Sequence, residues 1–320
     1  MNIQDKLDQY INEIFENLNF PDTPAGLYDP IRYSLASGGK RLRPILLLAS
    51  TIAFGGDVET AVNQCIGIEL FHNFTLLHDD VMDNSEVRRG QLTVHRRWNA
   101  NTAILSGDTM LTLATMYMSK CNARLLPEVL RIFNKTAIEV YEGQQLDMDY
   151  EKEKHVEIEQ YLEMIRLKTS VLLGCALQLG AVLAGASPSD VENIGKFGID
   201  LGIGFQLRDD YLDTFGDPLI FGKNLGGDIL NDKKTWLMIT ALNEDSDGKM
   251  QRIFSEAANE EEKVARVTAL YKEFNLDKRI LELISKYSNQ ALEHLSKVNI
   301  TAEARNYFER LALTMADRTH

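Results

Sequence analysis

The sequence predicts an all-α protein, and three features carry that prediction. Apolar residues recur at three- and four-residue spacing almost throughout, which is the period of one helix face. Strand-like alternation is scarce. The seven prolines (Pro21, Pro24, Pro30, Pro44, Pro127, Pro188 and Pro218) fall mostly at the edges of the periodic segments, where helices start or stop.

The segments follow in order. "MNIQDKLDQYINEIFENLNF" is a charged amphipathic pattern, not a basic stretch followed by an apolar one, so no targeting segment is expected there. "ILLLASTIAFG", "HNFTLLHDDVMD" and "VLRIFNKTAIEVYEGQQL" each read as helix. "YLEMIRLKTSVLLGCALQLGAVLAG" is apolar on most faces and rich in small residues around 169–186, which suits a helix buried in the middle of a bundle. "GFQLRDDYLD" ends another apolar helix. The stretch from Gly216 to Gly227 is a glycine-rich loop carrying Lys223 and leading into a helix at "DILNDKKTW", and "LELISKYSNQALEHL" closes the pattern. Neither a fixed repeat nor a shift in composition marks a boundary, so residues 1–320 are expected to form a single domain.

Composition narrows the function. The net charge of -13 opposes nucleic-acid binding, which needs a dense basic surface. Any phosphate must therefore be held locally. Cys65, Cys121 and Cys175 form no CxxC pair and indicate neither a disulfide framework nor a zinc site. With no apolar run long enough to span a bilayer, the expectation is a cytoplasmic chain without a membrane span.

Acid is concentrated in two places. In "LLHDDVMDNSEVRRG", Asp79 and Asp83 stand four residues apart, hence on one helical face, with Asp80 about 100° round from Asp79. Like charges at that spacing repel, and at the end of an apolar helix the natural remedy is a hard cation. All-oxygen ligands suit Mg2+, which takes one or two carboxylates and leaves other positions to water and phosphate. Asp209, Asp210 and Asp213 repeat the spacing in "FQLRDDYLD". Two such sets can hold two or three magnesium ions and so grip a diphosphate. Basic clusters supply direct donors: Lys40, Arg41 and Arg43 in "GGKRLRP", Arg88 and Arg89 in "EVRRG", Lys168 and Thr169 in "KT", then Lys223 and Lys233. His72 lies two turns before Asp79, Gln206 three residues before Asp209, and Gln144 and Asp147 belong to "GQQLD".

Taken in order, "GGKRLRP", "HNFTLLHDDVMDNSEVRRG", "GQQLD", "KTS", "GFQLRDDYLD" and "GKNLGGDILNDKKTW" resemble the motifs of the trans-isoprenyl diphosphate synthases, or polyprenyl synthetases. The resemblance implies an isoprenoid synthase-type helical bundle around a large central cavity, usually as a homodimer. It implies magnesium ligation by Asp79, Asp83 and Asp209, supported by Asp80, Asp210 and Asp213. Arg88, Lys168, Thr169, Gln206, Lys223 and Lys233 would contact the allylic diphosphate, and Lys40, Arg41, His72 and Arg89 the isopentenyl diphosphate. The reaction implied is head-to-tail prenyl transfer, with dimethylallyl, geranyl or farnesyl diphosphate as primer. Product length would be set by Phe74 and Thr75, with Phe71 below them, roughly 7.5 Å and 12 Å along the helix from Asp79 for residues 74 and 71. An aromatic at 74 with Thr75 matches a twenty-carbon product, with the fifteen-carbon one next. A class I terpene cyclase is opposed by the second DDxxD, and a noncatalytic isoprenoid-binding subunit by the intact motifs.

Overall fold

The computed structural model describes residues 3–217 and 225–316. It is helical as the periodicity predicts; among the described residues the strands are Val87–Arg88 and Gln91–Leu92, one short antiparallel hairpin. The chain divides into two compact units: Met1–Asn134 with Ala176–Val191 and Asn299–Thr301, and Lys135–Cys175 with Glu192–Val298 and Ala302–His320.

The first unit is built on α4 (Val62–Met82), which follows α1 (Ile3–Glu16), α2 (Ala25–Ala36) and α3 (Leu42–Ala53). Every residue of α4 from Gln64 to Phe71 is buried, because this helix is apolar nearly all round. The hairpin, a single turn α5 (Val94–Arg97) and α6 (Ala100–Met118) come next, and α6 lies along α4. Gly67 allows the close approach: a Cβ there would lie 3.1 Å from the Ala114 carbonyl. The Gln64 amide in turn donates to the carbonyls of Tyr117, Met118 and Lys120, satisfying orphan acceptors at the end of α6. On the other side Ser50 of α3 donates to the Leu177 carbonyl at 2.7 Å, within α9 (Val171–Leu183).

The second unit takes α7 (Leu126–Tyr150) from Lys135, then α8 (Ile158–Ile165), a π-turn over Arg166–Ser170, the start of α9, and α10 (Pro188–Phe215) from Glu192. Among the described residues its remaining helices are α11 (Gly227–Leu230), α12 (Trp236–Glu244), α13 (Lys249–Glu256), α14 (Glu260–Glu273), α15 (Leu276–Ser296) and α16 (Ala302–Ala316). Their apolar faces meet in one core containing Tyr161, Leu207, Trp236, Met250, Val267 and Ile280. Each such side chain contributes about 1.5–3 kcal/mol by leaving water.

Two expectations change in detail. "DILNDKKTW" is not one helix: α11 ends at Leu230, Asp232 turns the chain at φ 51°, and Thr235 starts α12 by accepting from the Met238 N–H. The continuous helical stretch Ile158–Leu183 is long and apolar enough to cross a membrane, contrary to the count of uninterrupted apolar residues. Its most apolar window is 78% buried, which fits the buried middle helix expected there.

Candidate active site

In the first unit, α4 ends at Met82, and the Asp83 N–H still bonds to the Asp79 carbonyl at 2.8 Å. Asp79 and Asp83 therefore keep the one-turn relation that their spacing predicts. The chain then reverses in a hairpin whose two turn residues, Arg89 at φ 53° and Gly90 at φ 75°, take the left-handed conformations that such a tight turn requires. The reversal carries Arg88 back onto the helix end. Its Nε donates to Asp80 Oδ1 at 2.7 Å and its Nη2 to Asp79 Oδ2 at 3.0 Å, so one planar guanidinium bridges adjacent carboxylates. Burial raises the pKa of Asp80 and Arg88 opposes that rise. Asp83 stays exposed.

Arg89 donates to the Gly38 carbonyl, and its guanidinium lies so close to Gly39 that a Cβ there would meet Arg89 Cζ at 2.6 Å. Glycine is needed there for the backbone at φ 128°, while the guanidinium, at the end of a flexible side chain, could shift to admit a Cβ. Two turns below Asp79, His72 accepts at Nε2 from Arg43 Nη1 at 3.1 Å. Burial and the neighbouring Arg43 hold His72 well below its ordinary pKa, so it is a neutral donor through Nδ1. Burial also pushes Arg43 down to about 10. One turn before His72 lies Glu69, whose pKa is raised by burial and whose Oε1 accepts from the Asn73 amide at 3.0 Å. Arg41 goes elsewhere: its left-handed backbone at φ 43° sends the guanidinium to Asn12 Oδ1 at 3.0 Å and over the Phe15 ring. Lys40 is exposed in the same loop.

The aromatic residues below the first motif form one stack. Phe71 is fully buried and meets Phe133 edge-on at 5.3 Å, Phe74 follows at 5.7 Å, and Phe74 meets the His78 ring at 4.7 Å. Thr75, alongside, donates to the His72 carbonyl at 2.8 Å.

In the second unit, Asp209, Asp210 and Asp213 lie on the last turns of α10. Asp210 is buried; its Oδ2 accepts from the Tyr161 hydroxyl and its Oδ1 from the Gln206 amide at 3.2 Å. Thr169 Oγ1 donates to the other end of Gln206 at 3.4 Å, and Lys168 Nζ pairs with Asp147. Asp213 accepts from the Asp228 N–H at 3.0 Å and so fastens the start of α11. Lys233 Nζ stands 3.5 Å from Asp228 Oδ1. Burial raises the pKa of both Asp210 and Asp228; repulsion from Asp228 adds to the rise at Asp210, and repulsion from Asp213 and Asp209 adds to it at Asp228 against the pull of Lys233. A cavity of about 120 Å³ opens here, lined by Asp147, Tyr161, Lys168, Gln206, Asp228 and Lys233 among others. Lys223 lies outside the described residues.

Among the described residues, no three histidine, cysteine or carboxylate side chains already converge as a closed metal cage. Carboxylates that leave most of a coordination shell to water and phosphate fit a hard cation such as magnesium. Sequence reasoning passed over Tyr161, Asp228, Glu69 and the His72 contact of Arg43. Asp228 stands five residues before Lys233 in a quoted motif, which was the available signal; Tyr161 and Glu69 gave none that ordinary core residues lack.

Residues 24–274 match the family model for polyprenyl synthetases. The chain is 39% identical to a geranylgeranyl pyrophosphate synthase of Geoglobus acetivorans over 97% of its own length and 96% of that protein. It is 32% identical to a geranylfarnesyl diphosphate synthase of Natronomonas pharaonis over 98% and 96% of the two chains. A solved structure of a geranylgeranyl pyrophosphate synthase from Corynebacterium glutamicum, complexed with isoprenyl diphosphate and magnesium, superposes with a TM-score of 0.86 at 28% identity and 98% coverage of each chain. The chain belongs to the polyprenyl synthetase family: it is a short-chain isoprenyl diphosphate synthase, a trans-prenyltransferase.

Proposed function

We propose that this protein condenses isopentenyl diphosphate head-to-tail with dimethylallyl, geranyl and farnesyl diphosphate and stops at the twenty-carbon product, geranylgeranyl diphosphate. The observation that carries this reading is that both aspartate motifs sit at the ends of helices among basic and polar groups suited to diphosphate. Arg88 is wired to Asp79 and Asp80, Thr169 and Gln206 lead to Asp210, and Lys168 pairs with Asp147.

Asp79, Asp83 and Asp209 would hold two or three magnesium ions, with Asp80, Asp210 and Asp213 fixed behind them. Magnesium, when bound, neutralises charge on the departing diphosphate as a Lewis acid. Arg88, Lys168, Thr169, Gln206, Lys223 and Lys233 bind and orient the allylic diphosphate, whose carbon–oxygen bond breaks to leave an allylic cation and diphosphate. Lys40, Arg89 and the neutral N–H of His72 hold isopentenyl diphosphate, joined by Arg43, whose guanidinium reaches His72; Arg41 would have to leave Asn12 and the Phe15 ring to take part. The isopentenyl double bond attacks the cation, a carbon–carbon bond forms, and the released diphosphate takes the proton lost. Holding both substrates in register before the cation forms supplies much of the acceleration.

Chain length rests on the stack of Phe74 on Phe71, a wall of buried rings beneath Asp79 that limits how far a growing chain can extend. A cytoplasmic homodimer completes the proposal. Three unpaired cysteines suit a reducing compartment, and the apolar side chains that α6 exposes, Ile104, Leu105 and Met116, suit a subunit contact.

The test is to incubate purified protein with magnesium, isopentenyl diphosphate and each primer, then size the products. A ladder ending at twenty carbons is expected. A stop at fifteen, or growth to twenty-five and beyond, would discard the role of Phe74 while keeping the chemistry. Folded protein that extends no primer would overturn the function.

A further inference from the structure

The turn that carries Lys168 and Thr169 is not ordinary α-helix. Arg166–Ser170 forms a π-turn between α8 and α9, in which the Val171 N–H bonds to the Arg166 carbonyl and Ser170 Oγ donates to the Ile165 carbonyl at 3.2 Å. Such widened turns are rare and unstable on their own, so something must hold this one. The structure shows two bare α-carbons pressed against it. Gly143 of α7 is buried where a Cβ would lie 2.2 Å from the Lys168 nitrogen and 2.7 Å from both Lys168 Cα and the Leu167 carbonyl carbon. Gly202 of α10 is buried where a Cβ would lie 2.7 Å from Ser170 Cα and Cβ. At Gly143 every one of these neighbours is backbone, so no side chain can swing aside to make room.

The consequence falls on the side chains of the turn. Asp147, one helical turn beyond Gly143 and on the same face, pairs with Lys168 Nζ. Gln206, one turn beyond Gly202, accepts from Thr169. In both cases the glycine sets how close the helix comes, and a polar residue four positions later uses that closeness to fix a side chain of the turn.

We propose that Gly143 and Gly202 are positioning residues for the allylic diphosphate, seating the π-turn between two glycine contacts so that Lys168 and Thr169 are aimed before the substrate arrives. The inference rests on the assignment of Lys168 to that diphosphate. A methyl group at either position displaces the backbone that bears the two ligating side chains, by a distance comparable to the misplacements that cost enzymes large factors in rate.

The experiment measures the dissociation constant of geranyl diphosphate by calorimetry, without isopentenyl diphosphate so that nothing reacts. It uses the full chain and its variants Gly143→Ala, Gly202→Ala, Lys168→Ala and the double variant Gly143→Ala/Lys168→Ala. Gly180→Ala serves as the comparison, since a Cβ there would lie 2.2 Å from the Leu47 carbonyl, an equally tight contact in the first unit and outside the diphosphate machinery. The expected result is at least tenfold weaker binding for Gly143→Ala, weaker binding for Gly202→Ala, and a double variant whose loss is smaller than the two single losses combined, because only Thr169 is then left for Gly143 to aim. Gly180→Ala should lower Tm and leave affinity within twofold. In steady state the KM for geranyl diphosphate should rise while that for isopentenyl diphosphate stays put. Affinity like that of the parent in Gly143→Ala, additive losses in the double variant, or an equal loss in Gly180→Ala would each overturn the proposal. If Gly143→Ala does not fold, Gly202→Ala decides by the same criteria. Should Lys168→Ala itself bind normally, the assignment of Lys168 has failed and the inference falls with it.

Discussion

The two aspartate motifs have the same spacing, occupy the same kind of helix end and are held in opposite ways. In the first, an arginine supplies charge: Arg88 bridges Asp79 and Asp80 from a hairpin that begins only a few residues later. In the second, neutral donors hold the carboxylate: Tyr161 and Gln206 take the two oxygens of Asp210, and a further acid, Asp228, faces the set instead of a base. Lys233 approaches Asp228 at 3.5 Å and Lys168 is engaged with Asp147. The difference teaches that a motif specifies where carboxylates stand but not their charge balance, which the surrounding fold sets. In the first set an arginine already bridges two carboxylates, whereas in the second the buried Asp210 rests on neutral donors beside another acid.

The largest effect should come from deleting a proposed ligand on either side of that comparison. Asp79→Ala and Asp209→Ala are each expected to lower kcat at least 10³-fold, roughly 4 kcal/mol in transition-state stabilisation, with an unchanged circular dichroism spectrum. Near-normal turnover in either variant would remove that residue from the catalytic set. A smaller and unequal pair of effects should follow from the supporting groups. Arg88→Ala strips charge from a buried carboxylate as well as a substrate contact and should cost about 10²-fold in kcat/KM together with about 2 kcal/mol of stability. Tyr161→Phe removes one hydrogen bond from a neutral donor and should cost about tenfold, or about 1.4 kcal/mol. Equal losses in the two variants, compared in one kinetic assay with a denaturant melt, would erase the distinction drawn between the sites.

Below the first motif, Phe74→Ala is expected to shift products beyond twenty carbons with little change in rate, which chromatography of the chain lengths would show; an unchanged distribution would make Phe74 plain core. The smallest effect concerns an acid on α10 outside both motifs. Burial pushes Asp200 up to about 6, and His294 Nε2 stands 3.6 Å away. A carboxyl whose folded pKa exceeds its unfolded value of about 3.9 stabilises the fold least when ionised, so stability is lost as pH rises from about 4 through 6. Asp200→Asn should therefore melt above the parent at pH 7, by an amount on the order of 1 kcal/mol once solvent screening is allowed for, and match it at pH 4. A constant difference between those pH values would show that the gain is not electrostatic.

Much of the architecture was legible because it is local. A 3.6-residue period announces a helix from its own residues, and the i, i+4 relation of Asp79 to Asp83 and of Asp209 to Asp213 survives in the folded chain. The contact between Arg88 and Asp80 spans only eight residues, within reach of a tight hairpin. Arg41 and Arg43 mark the edge of that legibility. They look equivalent in "GGKRLRP", but α3 starts between them at Leu42, and the left-handed backbone of Arg41 turns its side chain toward α1 while Arg43 meets His72.

By itself, then, the sequence determined the helical class, the two carboxylate sets, the basic clusters and the aromatic run beneath Asp79, since each is written in neighbouring residues. Only the tertiary structure decided that Tyr161 holds Asp210 across 49 positions, that Lys168 pairs with Asp147, and that a π-turn rests against Gly143 and Gly202. Those relations depend on how closely packed helices approach and in which register. That distance is fixed by the side chains missing at the contact as much as by those present, and no local period records it.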